Sequence, residues 1–271
     1  MMKRLFIFLV GNAALALSAC SDQPGPETRV GTAGTAGVTP SAAVARAPDV
    51  SPAGSNRQAK GPHEEGDPHA ALGPEPLVRV ALQHQAEGRL ELALQTLADA
   101  VARYPDAAQP YAVRASLRLG LQQVSAALKD LEQAVVLAPD DAGIRVNRAQ
   151  AYRAFGRYEE ALSDLDFALD REPDLVAARF NRGALLYAQG HFDRALVDFD
   201  HCVQVDPHAP APYFNRASTH WELGRPEDAL RDLERFVELN PNPEWKKSAE
   251  DLQANWRDAL AREALPAGSG S

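Results

Sequence analysis

The sequence predicts an all-α fold, a solenoid of five helix hairpins followed by a C-terminal capping helix. Two observations predict it. Val146-Asn147-Arg148-Ala149 recurs as Phe180-Asn181-Arg182-Gly183 and again as Phe214-Asn215-Arg216-Ala217, each step being 34 residues. The landmarks behind each recurrence keep the same step: Gly156, Gly190 and Gly224, then Ala161, Ala195 and Ala229, then Pro173, Pro207 and Pro241. A fixed period of this length marks a helical repeat, in which each unit buries its faces only against its neighbours.

Counting back by the same step reaches Ala127 and Pro139, then Ala93 and Pro105, with no insertion. The units are therefore 74–107, 108–141, 142–175, 176–209 and 210–243. With Pro74 as place 1, place 8 is small in every unit: Ala81, Ala115, Ala149, Gly183, Ala217. Place 20 is alanine throughout. Small side chains at both places let the two helices of a hairpin cross closely. Place 24 supplies an apolar plug between units: Leu97, Leu131, Leu165, Phe199, Leu233. Place 32 is always proline, which pushes the residue before it out of the helical region and ends the second helix. On these residues the chain resembles the tetratricopeptide repeat family. The resemblance implies a right-handed superhelical solenoid and covers 170 of the 271 residues. Two places depart from it. His84 stands where an aromatic is usual, and Gln122 where the inter-helix glycine is usual, which leaves that turn's geometry open.

Residues 1–19 read as a leader. Lys3 and Arg4 precede the apolar run Leu5 to Leu17, too short for a membrane-spanning helix with these flanks. Its end, Leu17-Ser18-Ala19-Cys20, resembles the bacterial lipobox. That resemblance implies cleavage before Cys20, a diacylglyceryl group on its sulfur and an acylated (palmitate-type) amino terminus. Several acyl chains anchor stably where one is marginal. The alternative is an ordinary secretory peptide. Ser21 after the cysteine implies the outer membrane, with Asp22 leaving the inner membrane open. Residues 20–73 then read as the lipidated cysteine and a disordered tether. They are rich in Gly, Ala, Pro, Ser and Thr, without apolar periodicity. About 50 flexible residues reach roughly 40 Å. His63, Glu64, Glu65, Asp67 and His69 lie in this stretch; without a scaffold they make no metal site.

After the array, Asn242-Pro243-Glu244 reads as an N-cap, a proline at the first helical position and an acid in the first turn. Trp245, Ala249, Leu252, Trp256 and Leu260 then recur at helical spacing, predicting a capping helix over 244–264. Phe236, at a place that is small in earlier units, suits packing against that cap. A membrane-surface helix is the rival reading, but its charge is mixed rather than basic. Residues 265–271 read as a disordered tail.

The net charge of −9 disfavours nucleic acid and an anionic lipid surface. The sequence carries no phosphate-binding loop, dinucleotide fingerprint, HExxH, paired CxxC or GxSxG elbow. No cofactor, metal, catalytic residue or small-molecule substrate is expected. The carboxylates Asp130, Asp164, Asp198 and Asp232 recur at place 23 and the guanidiniums Arg114, Arg148, Arg182 and Arg216 at place 7. They read as structural ion pairs inside each hairpin, with a functional charged stripe as the alternative. Cys202 stands where the first three units carry alanine and reads as a small buried apolar side chain.

Two function classes remain. One is a non-catalytic protein–protein interaction scaffold of the cell envelope, resembling outer-membrane lipoproteins that assemble pilus secretins or dock peptidoglycan hydrolases to their synthases. The other is an envelope enzyme, or enzyme subunit, with an unrecognised active site. In the repeat family, places 2, 5, 9, 12 and 13 of the first helix line the concave side. Here these include Val146, Gln150 and Arg153, then Phe180 and Tyr187, then Phe214 and Trp221. The resemblance implies a groove for a protein or peptide partner with apolar anchors. The alternative is that these aromatics pack between helices. Asn147, Asn181 and Asn215 at place 6 suggest a ladder of amides that grips an extended backbone, or else amides that bond within the repeat.

Overall fold

The computed structural model describes residues 72–263. The leader, Cys20, the tether up to residue 71 with its histidines, and the tail lie outside the described residues. Within them the chain is helical, with no strand, and runs as five hairpins and a final helix. The hairpins are α1 (Pro74–Ala86) with α2 (Leu90–Arg103), α3 (Ala108–Gly120) with α4 (Val124–Leu137), α5 (Ala142–Ala154) with α6 (Tyr158–Arg171), α7 (Val176–Ala188) with α8 (Phe192–Val205), and α9 (Pro210–Glu222) with α10 (Pro226–Leu239). The final helix is α11 (Pro243–Glu263).

Each first helix closes with the same device. In α1 the N–H of Arg89 donates to the carbonyl of His84 at 2.8 Å, and that of Gly88 to Gln85 at 3.0 Å. This paired closure needs a left-handed residue, and Gly88, Gly156, Gly190 and Gly224 supply it with φ of 74°, 73°, 80° and 69°. In the second hairpin the turn is the same despite its side chain: Gln122 takes φ 60°, and Gln123 N donates to Arg118 O at 2.8 Å. Each second helix ends where proline demands. Tyr104, Ala138, Glu172 and Asp206, each just before a proline, have left helical geometry with φ between −128° and −135°.

The small residues at places 8 and 20 and the plugs at place 24 are all buried. One hairpin departs from the rule in two places at once. A Cβ added at Gly183 would sit 2.9 Å from Cε1 of Phe199, so the glycine makes room for the one aromatic plug. Cys202 is fully buried and burial pushes its thiol up to about 12, so it behaves as an apolar filler. The last hairpin is covered by α11. Asn242 caps that helix, its Oδ1 accepting from the N–H of Glu244 at 2.9 Å. Ala249 and Trp256 are buried in one cluster with Phe214, Leu233 and Phe236.

Candidate functional site

The two rows of helices are not equivalent. Successive first helices, α1, α3, α5, α7 and α9, approach one another, while successive second helices do not come comparably close. The first-helix row is therefore the tightly spaced inner side of the array, where a solenoid presents its extended concave surface. What that row offers a partner depends on which of its polar groups the fold has already used.

Most of its charges are used. The Arg at place 7 forks onto the Asp at place 23 of its own hairpin. Arg148 Nε and Nη2 each lie 2.7 Å from Asp164, and Arg216 repeats both distances on Asp232. Arg114–Asp130 and Arg182–Asp198 pair in the same way. The carboxylates are almost wholly buried, and paired N–H donors are what makes that tolerable. Asp164 holds the Arg148 guanidinium above its ordinary value, against the pull of burial. Hairpin 1 supports the same logic by omission. Its places 7 and 23 are Val80 and Thr96, so both charges are missing together, and the Thr96 hydroxyl donates to the Leu92 carbonyl at 2.8 Å. Two of these arginines also bridge to the preceding hairpin: Arg182 reaches Asp166 at 2.8 Å and Arg216 reaches Asp200 at 2.9 Å.

A second set of ties escaped sequence reasoning. Arg145, Arg179 and Tyr213, at place 4, donate to the carbonyls of Pro139, Pro173 and Pro207 at distances of 3.0, 2.9 and 3.1 Å. They satisfy a carbonyl of the turn that follows the preceding helix, tying one hairpin to the next. The signal was present, since the three stand 34 residues apart, but an arginine and a tyrosine do not look alike until both are seen as long donors.

The predicted aromatic anchors are not on the surface. Val146, Phe180 and Phe214 are buried, so place 5 points into the core here. Phe180 meets Phe199 edge to face with centroids 6.0 Å apart, and Phe214 meets Phe236 at 5.1 Å. The first helices approach so closely that a residue at this place falls between them. Trp221 is stacked on Trp256 of α11, with centroids 4.5 Å apart and planes 4° from parallel. The capping helix occupies the face a ligand would need. Tyr187 is partly buried beside Phe192, and burial, with the Glu222 charge, pushes its phenol up. The amides do not form an open ladder either. Asn181 and Asn215 are buried; Asn181 Nδ2 donates to the Ala177 carbonyl at 2.8 Å, i to i−4 in its own helix. Their remaining atoms, Oδ1 of Asn181 and Nδ2 of Asn215, are enclosed without a partner.

One group of predicted residues does stay reachable. Asn147, Gln150 and Arg153 of α5 are half-buried, and none makes a hydrogen bond or ion pair to another described residue. Burial lowers the Arg153 guanidinium from its ordinary value, opposed only by Tyr158. Tyr187 occupies the same place of the following first helix. These side chains can donate to and accept from an extended chain.

Comparisons agree with this architecture. One family model, described as Tetratricopeptide repeat, matches residues 112–166 and 146–200, and a second of the same description matches 186–254. No curated protein matches the sequence. Among solved structures, a thermophilic TPR protein of Thermus thermophilus superimposes with a TM-score of 0.54 at 23% identity, covering 70% of this chain and 100% of that one. YrrB, a TPR protein with an unusual peptide-binding site, gives 0.51 at 21% identity, covering 65% and 91%. MamA from Desulfovibrio magneticus gives 0.54 at 14% identity, covering 61% and 94%. At such identities these likenesses concern the fold. Fold, register and sequence match agree, and from residue 112 to residue 254 the chain belongs to the tetratricopeptide repeat family.

Proposed function

We propose that this protein is a non-catalytic scaffold of the bacterial cell envelope that holds an extended segment of a protein partner along the first helices of its central hairpins. The observation that carries the reading is the set of unused polar groups on α5 and α7 (Asn147, Gln150, Arg153 and the Tyr187 hydroxyl) on a row whose other buried charges are paired within the fold. Tetratricopeptide arrays are generally protein-interaction scaffolds, and one structural neighbour is a peptide-binding member. The lipobox-like Leu17-Ser18-Ala19-Cys20 supports an acylated Cys20 at the periplasmic face of the outer membrane. In that setting the array assembles an envelope complex, of the secretin-assembly or peptidoglycan-enzyme-docking type.

The test is affinity capture from solubilised envelopes. Asn147→Ala with Gln150→Ala and Arg153→Ala should lose the partner recovered by the parent, at an unchanged melting temperature. Lys129→Ala with Arg194→Ala, exposed on second helices, should keep it. Full recovery by the groove variant would discard the reading. Phe180 and Phe214 are unsuitable for this test because their loss damages the core. Cys20→Ala should leave a precursor or a soluble form; a mature, unmodified terminus by mass spectrometry would remove the anchor.

A further inference from the structure

The aspartate at place 23 can take more than one cation. In hairpin 2, Arg118 at place 11 lies 2.6 Å from Asp130, beside the fork from Arg114. Hairpins 3 and 4 have Tyr152 and Leu186 at that place, and hairpin 1 has His84 opposite Thr96. Hairpin 5 alone sets a histidine against a buried carboxylate: His220 Nε2 stands 3.9 Å from Asp232. That is beyond a hydrogen bond, and Arg216 already donates to both Asp232 oxygens at 2.7 Å. The other ring nitrogen, Nδ1, is enclosed with no hydrogen-bond partner. A neutral imidazole can keep Nδ1 free of hydrogen; the protonated ring cannot. Protonation would enclose an N–H without an acceptor and set a second cation beside Arg216. Burial is the largest influence on the ring and, helped by Arg216 of α9, holds it below its ordinary value. Asp232 and Asp228 of α10 and Asp200 of α8 pull the other way.

We infer that His220 is an acid-sensitive seam between α9 and α10, closed by the neutral imidazole and loosened when the ring takes up a proton. The opened hairpin takes up that proton more readily than the closed one. The seam therefore keeps its full stability above the ordinary imidazole value of about 6.5 and loses it as the pH falls from there toward the lower value of the closed hairpin. The loss falls on the end that carries the capping helix. The residue after His220 is Trp221, stacked on Trp256 of α11, and Phe214 and Ala217 of α9 share a buried cluster with Ala249 and Trp256. Mild acid thus loosens the cap and uncovers the Trp221 end of the first-helix row. Hairpins 2 to 4, with no histidine at place 11, lack this switch.

The full chain serves for the test, because its three tryptophans, Trp221, Trp245 and Trp256, all lie at this end and report on it alone. From about pH 7.5 to about pH 5, tryptophan emission should move to longer wavelength with a midpoint under the ordinary imidazole value, and the amides of α9 to α11 should lose protection from hydrogen exchange ahead of those of α5 and α6. His220→Gln, which cannot be protonated, should abolish both changes, and so should His220→Leu, which copies hairpin 4. His201→Gln, which removes the histidine paired with Asp174, should leave both in place. Titration of the His220 ring by NMR in the parent chain decides without any variant. A value below about 6.5, reached as α9 to α11 lose protection, is the expected result. A value at or above it, with those helices gaining protection in acid, would overturn the seam by making the imidazolium a closing contact. Tryptophan emission that does not change with pH, or a shift that persists in His220→Gln, would overturn it as well.

Discussion

Two residues show how far single positions bend the repeat's rules. Gln122 adopts the left-handed conformation that glycine supplies in the other four hairpins. A side chain there costs about 1–2 kcal/mol, while glycine returns about 0.5–1 kcal/mol as unfolded-state freedom. The strain is the larger effect, so Gln122→Gly should stabilise by roughly 0.5–1 kcal/mol, read from urea unfolding. Gly183 presents the opposite case. Its hydrogen makes room for Phe199, so Gly183→Ala should destabilise by about 1–3 kcal/mol through overpacking, although alanine is the better helix former. Phe199→Leu alone should also destabilise, by leaving a void. Together they rebuild the Ala149–Leu165 arrangement of the preceding hairpin, so the double variant should be more stable than either single. A simple sum of the two losses in the double-mutant cycle would refute the pairing.

At the scale of elements, α11 is a lid for a face that a sixth hairpin would otherwise cover. Its Gln253 and Arg257 both donate to Glu234, at 3.2 and 3.0 Å, and its Trp256 lies on Trp221. Trp256→Ala should cost about 3–5 kcal/mol. Truncation after Asn242 should lower the melting temperature and promote self-association through exposed Phe214, Trp221 and Phe236, seen by light scattering. A truncated protein that stays monomeric with the same melting temperature would show the lid to be dispensable. The helices themselves were legible because places 8, 20, 24 and 32 repeat and each has one mechanical job. The groove was less so. An aromatic at place 5 gives the same sequence pattern whether it faces a ligand or a neighbouring helix, and only the closeness of adjacent first helices decides between them. The cover over Trp221 was hidden for another reason: α11 does not continue the 34-residue register, so no periodic landmark named Trp256 as the partner. Arg153 was legible as a groove residue. Its lack of a partner was not, since that required knowing where every aspartate goes.

At the scale of the whole array, the bridges that the place-7 arginines make between hairpins are unevenly distributed. Arg216 reaches back to Asp200 and Arg182 to Asp166. Sixteen residues before Arg148 stands Glu132, acting through its field on the guanidinium, and sixteen before Arg114 stands Ala98, which carries no charge. The coupling through place 7 thus fades toward the N-terminal end, while Arg171 still pairs with Asp140 between the third and second hairpins. Hairpin 1 also lacks the internal ion pair, with Val80 and Thr96 in its place. A one-dimensional array with graded coupling does not open uniformly; it frays from its loosest end while the tighter end remains closed. Amide hydrogen exchange should therefore proceed as a wave, fastest in α1 and α2 and slowest in α8 to α10. The hairpins nearest the proposed membrane tether would then act as a compliant hinge, and those farther along as the rigid jaw.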